Sequence, residues 1–419
     1  MNAPGARSRL SLPHALGFAA VLVLVTWMLG ASLGKAWHAP DSDEGYYLYF
    51  VSQVQQHGLG VFPELFRSWN ANDIVSDVLD RPNWWHPPPY RLGYIVVGAW
   101  WARFFGASIA SLSWLSTVSH LIWASINWVF ARRHLDETFA LLLATLCAFS
   151  PLLTGEARLA LMDNYAVVWV TLAAWLFLEM LEQPTAWCWQ IGCGAALTMA
   201  ILTKELSVFV AAPLGTVALI ERFYRQRPLP FWRFFAVLAL PGALSLPFFV
   251  LAAGGLSSLL TTIQIVLSSP ASMPYALLYC SGPWYRYLID YLCLSAFPTL
   301  LGLLGAGALL QRWFDGEWST IEVFFLVFGV GLLAQQAPFI KNARYMMGLE
   351  LPLRFLAVGL LLRCAQRIWP ARSTLLAALV VAGLCFLDWR SFQHLFADVG
   401  GYDPLSFDLL KARKIIPWR

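Results

Sequence analysis

The chain has 419 residues, of which 59% are hydrophobic and only 12% are charged. Soluble domains carry about 25% charged residues, so this composition leaves too little polar surface for a water-soluble globule of such length. The net charge of +4 is small and dispersed, which argues against a nucleic-acid partner because no basic domain carries it. The composition therefore predicts an integral membrane protein.

The hydrophobic runs are long and lack a strict period of two, so they predict helices rather than the strands of a barrel. Backbone polar groups in lipid must be paired internally, which helices achieve within one segment. The seven cysteines fall mostly in apolar runs without metal-ligand spacing, and we interpret them as small buried hydrophobes. The predicted fold class is an all-α, polytopic membrane protein.

A transmembrane helix needs about 20 apolar residues, and the sequence offers about 11 such segments. The first follows Arg7 and Arg9 and lacks a clean cleavage site, so we interpret it as a retained span rather than a signal peptide. The predicted spans, in chain order, are 14–34, 108–131, 137–153, 161–181, 189–203, 205–221, 233–253, 287–310, 320–338, 348–363 and 373–389. They form one domain over residues 1–389, with a short C-terminal tail at 390–419.

Lysine and arginine concentrate in cytoplasmic loops, and this bias orients the chain. With the N-terminus inside, nearly all basic clusters fall on the cytoplasmic side, except that the loop at 182–188 is neutral to acidic. Residues 91–106 are apolar, but as a helix they would extend only about 24 Å. Counting them as a span would place the basic clusters outside. We therefore predict that they form a helix at the outer interface.

Charged residues collect in five loops on the predicted outer face. The largest loops are 35–107 and 254–286, and the others are short. Ionisable groups at membrane depth cost about 2.5–3.5 kcal/mol on insertion scales, so Lys204, placed between two apolar runs, should face a cavity and a partner. The candidate site residues on these loops are Asp43, Glu44, Tyr47, His86, Arg158, Asp163, Lys204, Arg286, Arg344 and Tyr345.

These residue types suit one kind of chemistry. A carboxylate near the outer surface can act as general base on an acceptor hydroxyl or amine. Nearby cations can bind a phosphate and stabilise it as it becomes the leaving group. A phosphate anchored in the membrane is the signature of a polyprenyl-phosphate sugar donor.

Five short motifs in these loops resemble those of the GT-C glycosyltransferases. The closer resemblance is to the branch that holds protein O-mannosyltransferases and the bacterial aminoarabinose transferase of lipid A. Each motif alone is weak, but five occur in the family's order over roughly residues 10–365. They are DEGYY with Asp43, Glu44 and Tyr47; HPPPY with His86; SPLLTGEARLALMDN with Arg158 and Asp163; TKE with Lys204; and RYM with Arg344 and Tyr345.

The resemblance implies a role for each matched position. Asp43 is the expected catalytic base, and Glu44 supports it or orients the first loop. His86 and Asp163 are expected at the sugar, the phosphate or the acceptor. Lys204 and Arg344, with Tyr345, are expected at the donor phosphate. Arg286 is added on charge and location alone.

The resemblance also implies a location in the cell, but it does not decide whether the enzyme uses a metal cofactor. The expected enzyme is a multi-pass protein of the inner, or plasma, membrane whose active site faces the periplasm, using undecaprenyl phosphate or a related carrier. Trp85-His86 replaces the acidic-basic pair of the aminoarabinose transferase, which puts that donor in doubt. No acidic cluster exceeds Asp41-Ser42-Asp43, so no cofactor is predicted and use of a divalent metal is left open.

Two other functions fit part of the pattern. A transporter or flippase of lipid-linked glycans would need the same cations, but it predicts polar groups at the midplane and often an internal repeat. A ligase that joins glycan blocks would share the cavity and use a pyrophosphate donor. The predicted function is an inverting transfer of a sugar to a lipid, glycan or protein acceptor on the outer face.

Overall fold

The structure is a computed structural model that describes residues 11–33, 43–73, 86–268, 282–339 and 341–398, with single positions 277, 280 and 409. Its regular elements are helices. The α-helices are α1 Leu12–Leu33, α2 Asp43–His57, α3 Phe62–Ala71, α4 Leu92–Phe105, α5 Ile109–His134, α6 Glu137–Ala148, α7 Pro151–Glu156, α8 Asp163–Glu182, α9 Trp187–Thr203, α10 Ala211–Leu219, α11 Phe231–Ala252, α12 Leu256–Ser268, α13 Arg286–Leu294, α14 Ala296–Phe314, α15 Thr320–Gln336, α16 Glu350–Ile368 and α17 Ser373–Phe392. Short 3-10 helices cover Leu59–Val61, Glu205–Val210, Ala343–Leu349 and Pro370–Arg372, and π turns cover Ile220–Tyr224 and Gln393–Asp398.

Seven continuous helical segments in this part of the chain are long and apolar enough to cross a membrane, and shorter apolar helices accompany them. The long segments are Leu12–Leu33, Ile109–His134, Asp163–Glu182, Glu205–Tyr224, Phe231–Ala252, Ala343–Ile368 and Pro370–Asp398. Each predicted span contains at least one helix, so the all-α prediction is confirmed.

Two predicted spans are interrupted, one at a new helix start and one at a hydrogen bond to a distant helix. The span predicted at 137–153 ends at Ala148, because the Ser150 hydroxyl accepts a hydrogen bond from Leu153 N at 3.3 Å and caps a new helix. Pro151 occupies its first position, where a proline is tolerated. The span predicted at 287–310 divides at Ser295, whose hydroxyl bonds the carboxylate of Asp388.

The buried apolar side chains form two clusters. The larger one fills the space between α5, α6, α8, α15 and α16. The smaller one joins α2, α3 and α4 to the residues that precede α8, with Phe50, Phe66 and Tyr94 fully buried. The smaller cluster therefore fixes the helices of the first loop on one end of the bundle.

Helix α4 lies beside the elements at that same end. At its start, a Cβ on Gly93 would come within 2.4 Å of the Thr203 hydroxyl, at the end of α9. Near its other end, Gln55 of α2 donates to the carbonyl of Ala102 at 3.1 Å. Trp101 donates to the carbonyl of Ser111, in the first turn of α5, at 3.0 Å. Both ends of α4 thus contact one end of the bundle, consistent with the predicted interfacial helix.

The opposite end of the bundle carries a second set of charges. In α8, Glu179 lies 16 residues after Asp163, which is about 24 Å along a helix, and it pairs with Arg133. Glu322, at the start of α15, pairs with Arg312 at 2.8 Å and with Arg363 at 2.7 Å. Basic clusters from separate loops therefore meet at the end of the bundle remote from Asp163.

Candidate functional site

Five separate segments bring polar side chains together at the end that carries α2 and α4. Asp43 begins α2, His86 precedes α4, Asp163 begins α8, Lys204 follows α9, and the 3-10 helix Ala343–Leu349 carries the last two residues. We call these side chains the polar cluster: Asp43, His86, Asp163, Lys204, Arg344 and Tyr345. All six were predicted from the sequence motifs, and the structure places them in one connected group.

The Asp43 carboxylate lies between two basic side chains. Its Oδ1 is 3.9 Å from His86 Nδ1, and its Oδ2 is 3.8 Å from an Arg344 nitrogen. The His86 ring stacks on Tyr46, with the ring centroids 4.2 Å apart. Burial alone would raise the pKa of Asp43, but His86 and the charges of Arg344 and Arg91 hold that pKa below its ordinary value. Asp43 is therefore an ionised carboxylate at neutral pH.

Lys204 is held by a carboxylate and an aromatic ring. Its Nζ lies 2.7 Å from Asp163 Oδ1 and 4.5 Å from the centroid of the Tyr345 ring. Lys204 and Asp163 are 9% and 7% exposed, so the ion pair sits where water is scarce and electrostatic interactions are strong. The sequence prediction that Lys204 faces a partner is confirmed.

Arg91 is a cluster neighbour that the sequence analysis missed as a site residue. It donates to the Tyr47 hydroxyl at 2.5 Å, and its Nε lies 3.6 Å from Glu205 Oε2. Its position directly after the HPPPY motif was the available signal. Tyr47 therefore joins the site through Arg91, and Glu205 lies beside the same guanidinium.

A cavity adjoins the polar cluster and leads toward the apolar part of the bundle. Asp163, Lys204, Arg344 and Tyr345 line one part of it, together with residues of α8, α15 and the 205–210 segment. Val170 lies seven residues below Asp163 on α8, about 10 Å along the helix. The cavity thus combines charged groups at the bundle end with apolar walls deeper down, formed by Val167, Val170, Val210 and Leu332.

Three predicted site residues lie elsewhere. Glu44 is fully buried on the other side of α2, where its Oε1 accepts from Ala160 N at 2.7 Å. Arg158 is buried against the C-terminal segment and donates to the Phe396 carbonyl at 3.0 Å. Arg286 begins α13 and acts on Lys341 electrostatically. For all three the predicted role in the site stays a prediction. Asp41 and Trp85 lie outside the described residues.

Over the described residues, no group of three or more His, Cys, Asp or Glu side chains is arranged to hold a metal ion. The carboxylates of the polar cluster are instead paired with basic side chains.

A family model described as dolichyl-phosphate-mannose-protein mannosyltransferase matches residues 92–251. The match includes α4, Asp163 and Lys204, but not Asp43, His86 or Arg344. No curated protein sequence matches the chain.

Solved structures of membrane glycosyltransferases resemble this one. Apo ArnT from Cupriavidus metallidurans is 18% identical with a TM-score of 0.55, and the match covers 88% of this chain and 64% of ArnT. The same protein bound to undecaprenyl phosphate is 14% identical with a TM-score of 0.52, covering 96% and 76%. The oligosaccharyltransferase of Archaeoglobus fulgidus is 11% identical with a TM-score of 0.61, covering 90% and 55%.

The chain spans 64% of apo ArnT and 55% of the apo oligosaccharyltransferase. At these identities the similarity shows the fold, and it confirms at that level the resemblance to the GT-C glycosyltransferases that the motifs predicted.

Proposed function

We propose that this chain, a membrane protein of the GT-C fold, is a glycosyltransferase that moves a sugar from a polyprenyl-phosphate donor to an acceptor on the non-cytoplasmic face. The observation that carries the proposal is the polar cluster itself. A carboxylate, Asp43, and two cations, Lys204 and Arg344, come from distant parts of the sequence to one site beside a cavity with apolar walls.

In the proposed reaction, the acceptor oxygen or nitrogen attacks the anomeric carbon of the donor sugar. The bond between that carbon and the phosphate oxygen breaks, and the phosphate leaves with the electron pair. Asp43 takes the proton from the acceptor, as a general base does. Lys204 and Arg344 stabilise the charge that grows on the phosphate. One displacement on one face of the sugar inverts the anomeric configuration.

The charge balance of the site favours a monophosphate donor. Apart from His86, the charged groups in and beside the polar cluster are three carboxylates and three basic side chains: Asp43, Asp163 and Glu205, with Arg91, Lys204 and Arg344. These charges cancel, so the site without a ligand carries no excess positive charge. A phosphodiester adds one negative charge to the site, whereas a pyrophosphate adds two. The second charge makes pyrophosphate binding less favourable where charges are poorly solvated.

The structures that resemble this chain support a lipid-phosphate donor. ArnT has been solved with undecaprenyl phosphate, and the archaeal oligosaccharyltransferase AglB with a dolichol-phosphate and an inhibitory peptide. The apolar walls below the cations, at Val170, Val210 and Leu332, are the part of the cavity that would contact the isoprenoid tail. The acceptor class we propose is a membrane lipid, a glycan or a protein hydroxyl.

The non-cytoplasmic location rests on charge. The end of the bundle remote from the polar cluster gathers Arg133, Arg225, Arg312 and Arg363. Basic loops remain on the cytoplasmic side of membrane proteins, so the polar cluster belongs on the other side. In a bacterium that side is the periplasmic face of the inner membrane.

Asp43→Asn tests the proposal because the amide keeps the shape and removes the base. Purified protein in liposomes should transfer sugar from undecaprenyl-phosphate-linked hexoses or pentoses to lipid acceptors, followed by mass spectrometry. We expect Asp43→Asn to lower the rate about 10²–10⁴-fold, while Asp73→Asn, an exposed aspartate of the same loop, leaves it unchanged. Full turnover by the Asp43 variant would remove Asp43 from the mechanism, and turnover of pyrophosphate donors alone would indicate a ligase.

A further inference from the structure

Gln336 lines the same cavity as the cations but belongs to none of the sequence motifs. It is the last residue of α15, and the cavity wall near it includes Leu332, one helical turn below. Because α15 runs from the Glu322 end of the bundle toward the polar cluster, its last turn lies at the level of Lys204 and Arg344. Gln336 therefore lies beside the position proposed for the bond between the phosphate and the sugar of the donor.

The carboxamide oxygen of Gln336 has no hydrogen-bond partner among the residues that the structure describes. The side chain is 8% exposed, so water does not readily replace the missing partner. A buried acceptor without a partner costs about 1–3 kcal/mol, and such groups in folded proteins call for an explanation. A ligand that supplies a hydrogen-bond donor is one explanation, and the cavity beside Gln336 is the place for it.

The chemistry of the oxygen selects which part of the donor it binds. A phosphodiester offers only acceptor oxygens, so it cannot donate to Gln336 Oε1. A sugar hydroxyl or amino group can donate. The cations Lys204 and Arg344 already suit the phosphate, which both the loaded donor and the spent carrier contain. Gln336 suits a group that only the loaded donor contains.

We propose that Gln336 binds a hydroxyl or amino group of the donor sugar next to the phosphate, and that it lets the site distinguish a sugar-loaded carrier from the spent polyprenyl phosphate. This inference rests on the proposed function. It adds a substrate-binding residue that favours exchange of product for fresh donor, since the ionised phosphate of the spent carrier offers Gln336 Oε1 no hydrogen-bond donor.

The test compares two ligands on one variant. Gln336→Leu has a similar volume and no polar group. KM is measured for the undecaprenyl-phosphate-linked hexose or pentose that the wild type turns over fastest, and the inhibition constant is measured for undecaprenyl phosphate alone. We expect Gln336→Leu to raise KM for the loaded donor about tenfold, as for one lost hydrogen bond, and to leave the inhibition constant unchanged.

Two further variants keep the test decisive. Gln336→Asn retains the carboxamide but withdraws it by one methylene, so it should give the same selective loss even where the leucine variant fails to fold. Gln311→Leu makes the matched change at an exposed position near the C-terminal end of α14 and should alter neither constant.

Each result has a defined meaning. An unchanged KM, or an equal weakening of both ligands, overturns the role of Gln336 in sugar recognition. The proposed function fails separately: in that case the wild type turns over no lipid-phosphate sugar, or Lys204→Met and Arg344→Met bind undecaprenyl phosphate as well as the wild type does.

Discussion

Asp43 and Glu44 are neighbours in sequence but point to different environments. Successive residues on a helix are about 100° apart, so Asp43 meets His86 and Arg344 while Glu44 meets the backbone of Ala160. The DE motif could be recognised in the sequence, but the assignment of each carboxylate needs the facing helix. The same reason explains Arg91, whose partners Tyr47 and Glu205 lie on two other segments.

The lowered pKa of Asp43 makes a prediction about pH. A lowered pKa means that the ionised form stays populated as pH falls past the ordinary aspartate value of about 3.9. The acidic limb of kcat/KM should therefore lie below that value in the wild type. The stability that this carboxylate contributes is likewise present above the unfolded pKa and is lost as pH falls through the folded one.

Arg344→Gln should move the acidic limb to higher pH, because it removes one of the charges that hold the pKa of Asp43 down. The rate should fall at all pH values, since Arg344 is also a proposed phosphate ligand, so the position of the limb is the quantity to compare. Arg103→Gln, at an exposed site on α4, serves as the control. A uniform loss of rate with an unmoved limb would show that Arg344 does not act on Asp43.

At the scale of the element, one close contact places Lys204 beside the first loop. Gly93 at the start of α4 touches Thr203, the residue before Lys204, so closely that an added Cβ would lie 2.4 Å from its hydroxyl and 3.1 Å from its amide nitrogen. This contact brings Arg91, two residues earlier, to Glu205. Because position 93 has no side chain, α4 packs directly against the end of α9, which brings the HPPPY and TKE motifs together.

Gly93→Ala should separate α4 from the end of α9. Overpacking of this kind costs about 1–3 kcal/mol, so we expect a lower Tm and a higher KM for the lipid-phosphate donor. Gly194→Ala on α9 is the matched control, because nothing lies within 4 Å of the added carbon there and alanine favours the helix. If both substitutions changed Tm and KM equally, the effect would come from any added methyl group at helix α9 and not from the contact at Gly93.

The sequence predicted these elements unevenly, for physical reasons. Long apolar runs such as α8 and α11 follow from hydropathy alone, because burial in lipid leaves no alternative for the backbone. The interruptions at Ser150 and Ser295 depend on local caps and on a distant carboxylate, which periodicity does not reveal. The 3-10 helix that carries Arg344 and Tyr345 likewise follows from its packing, since Tyr291 donates to Met346 O at 2.6 Å.

The whole molecule carries charge at both ends of an apolar bundle, and the two ends differ in kind. One end holds the polar cluster beside a cavity, and the other holds arginines paired with Glu179, Glu221 and Glu322. Hydropathy and the loop charges predicted this division before any contact was known. They could not predict that Asp43 and Arg344, 301 positions apart, would come within 3.8 Å.

The most direct test of the account is the side of the membrane on which each end lies. Glu64→Cys places a thiol on α3, at the end of the polar cluster, while the exposed native Cys188 and Cys364 lie near the arginine end. Each is tested with the other exposed cysteines replaced by serine, using a membrane-impermeant thiol reagent on intact and permeabilised cells. The account predicts that Glu64→Cys reacts in intact cells, whereas Cys188 and Cys364 react only after permeabilisation; labelling of all three from the same side, or of the two native cysteines alone in intact cells, would contradict it.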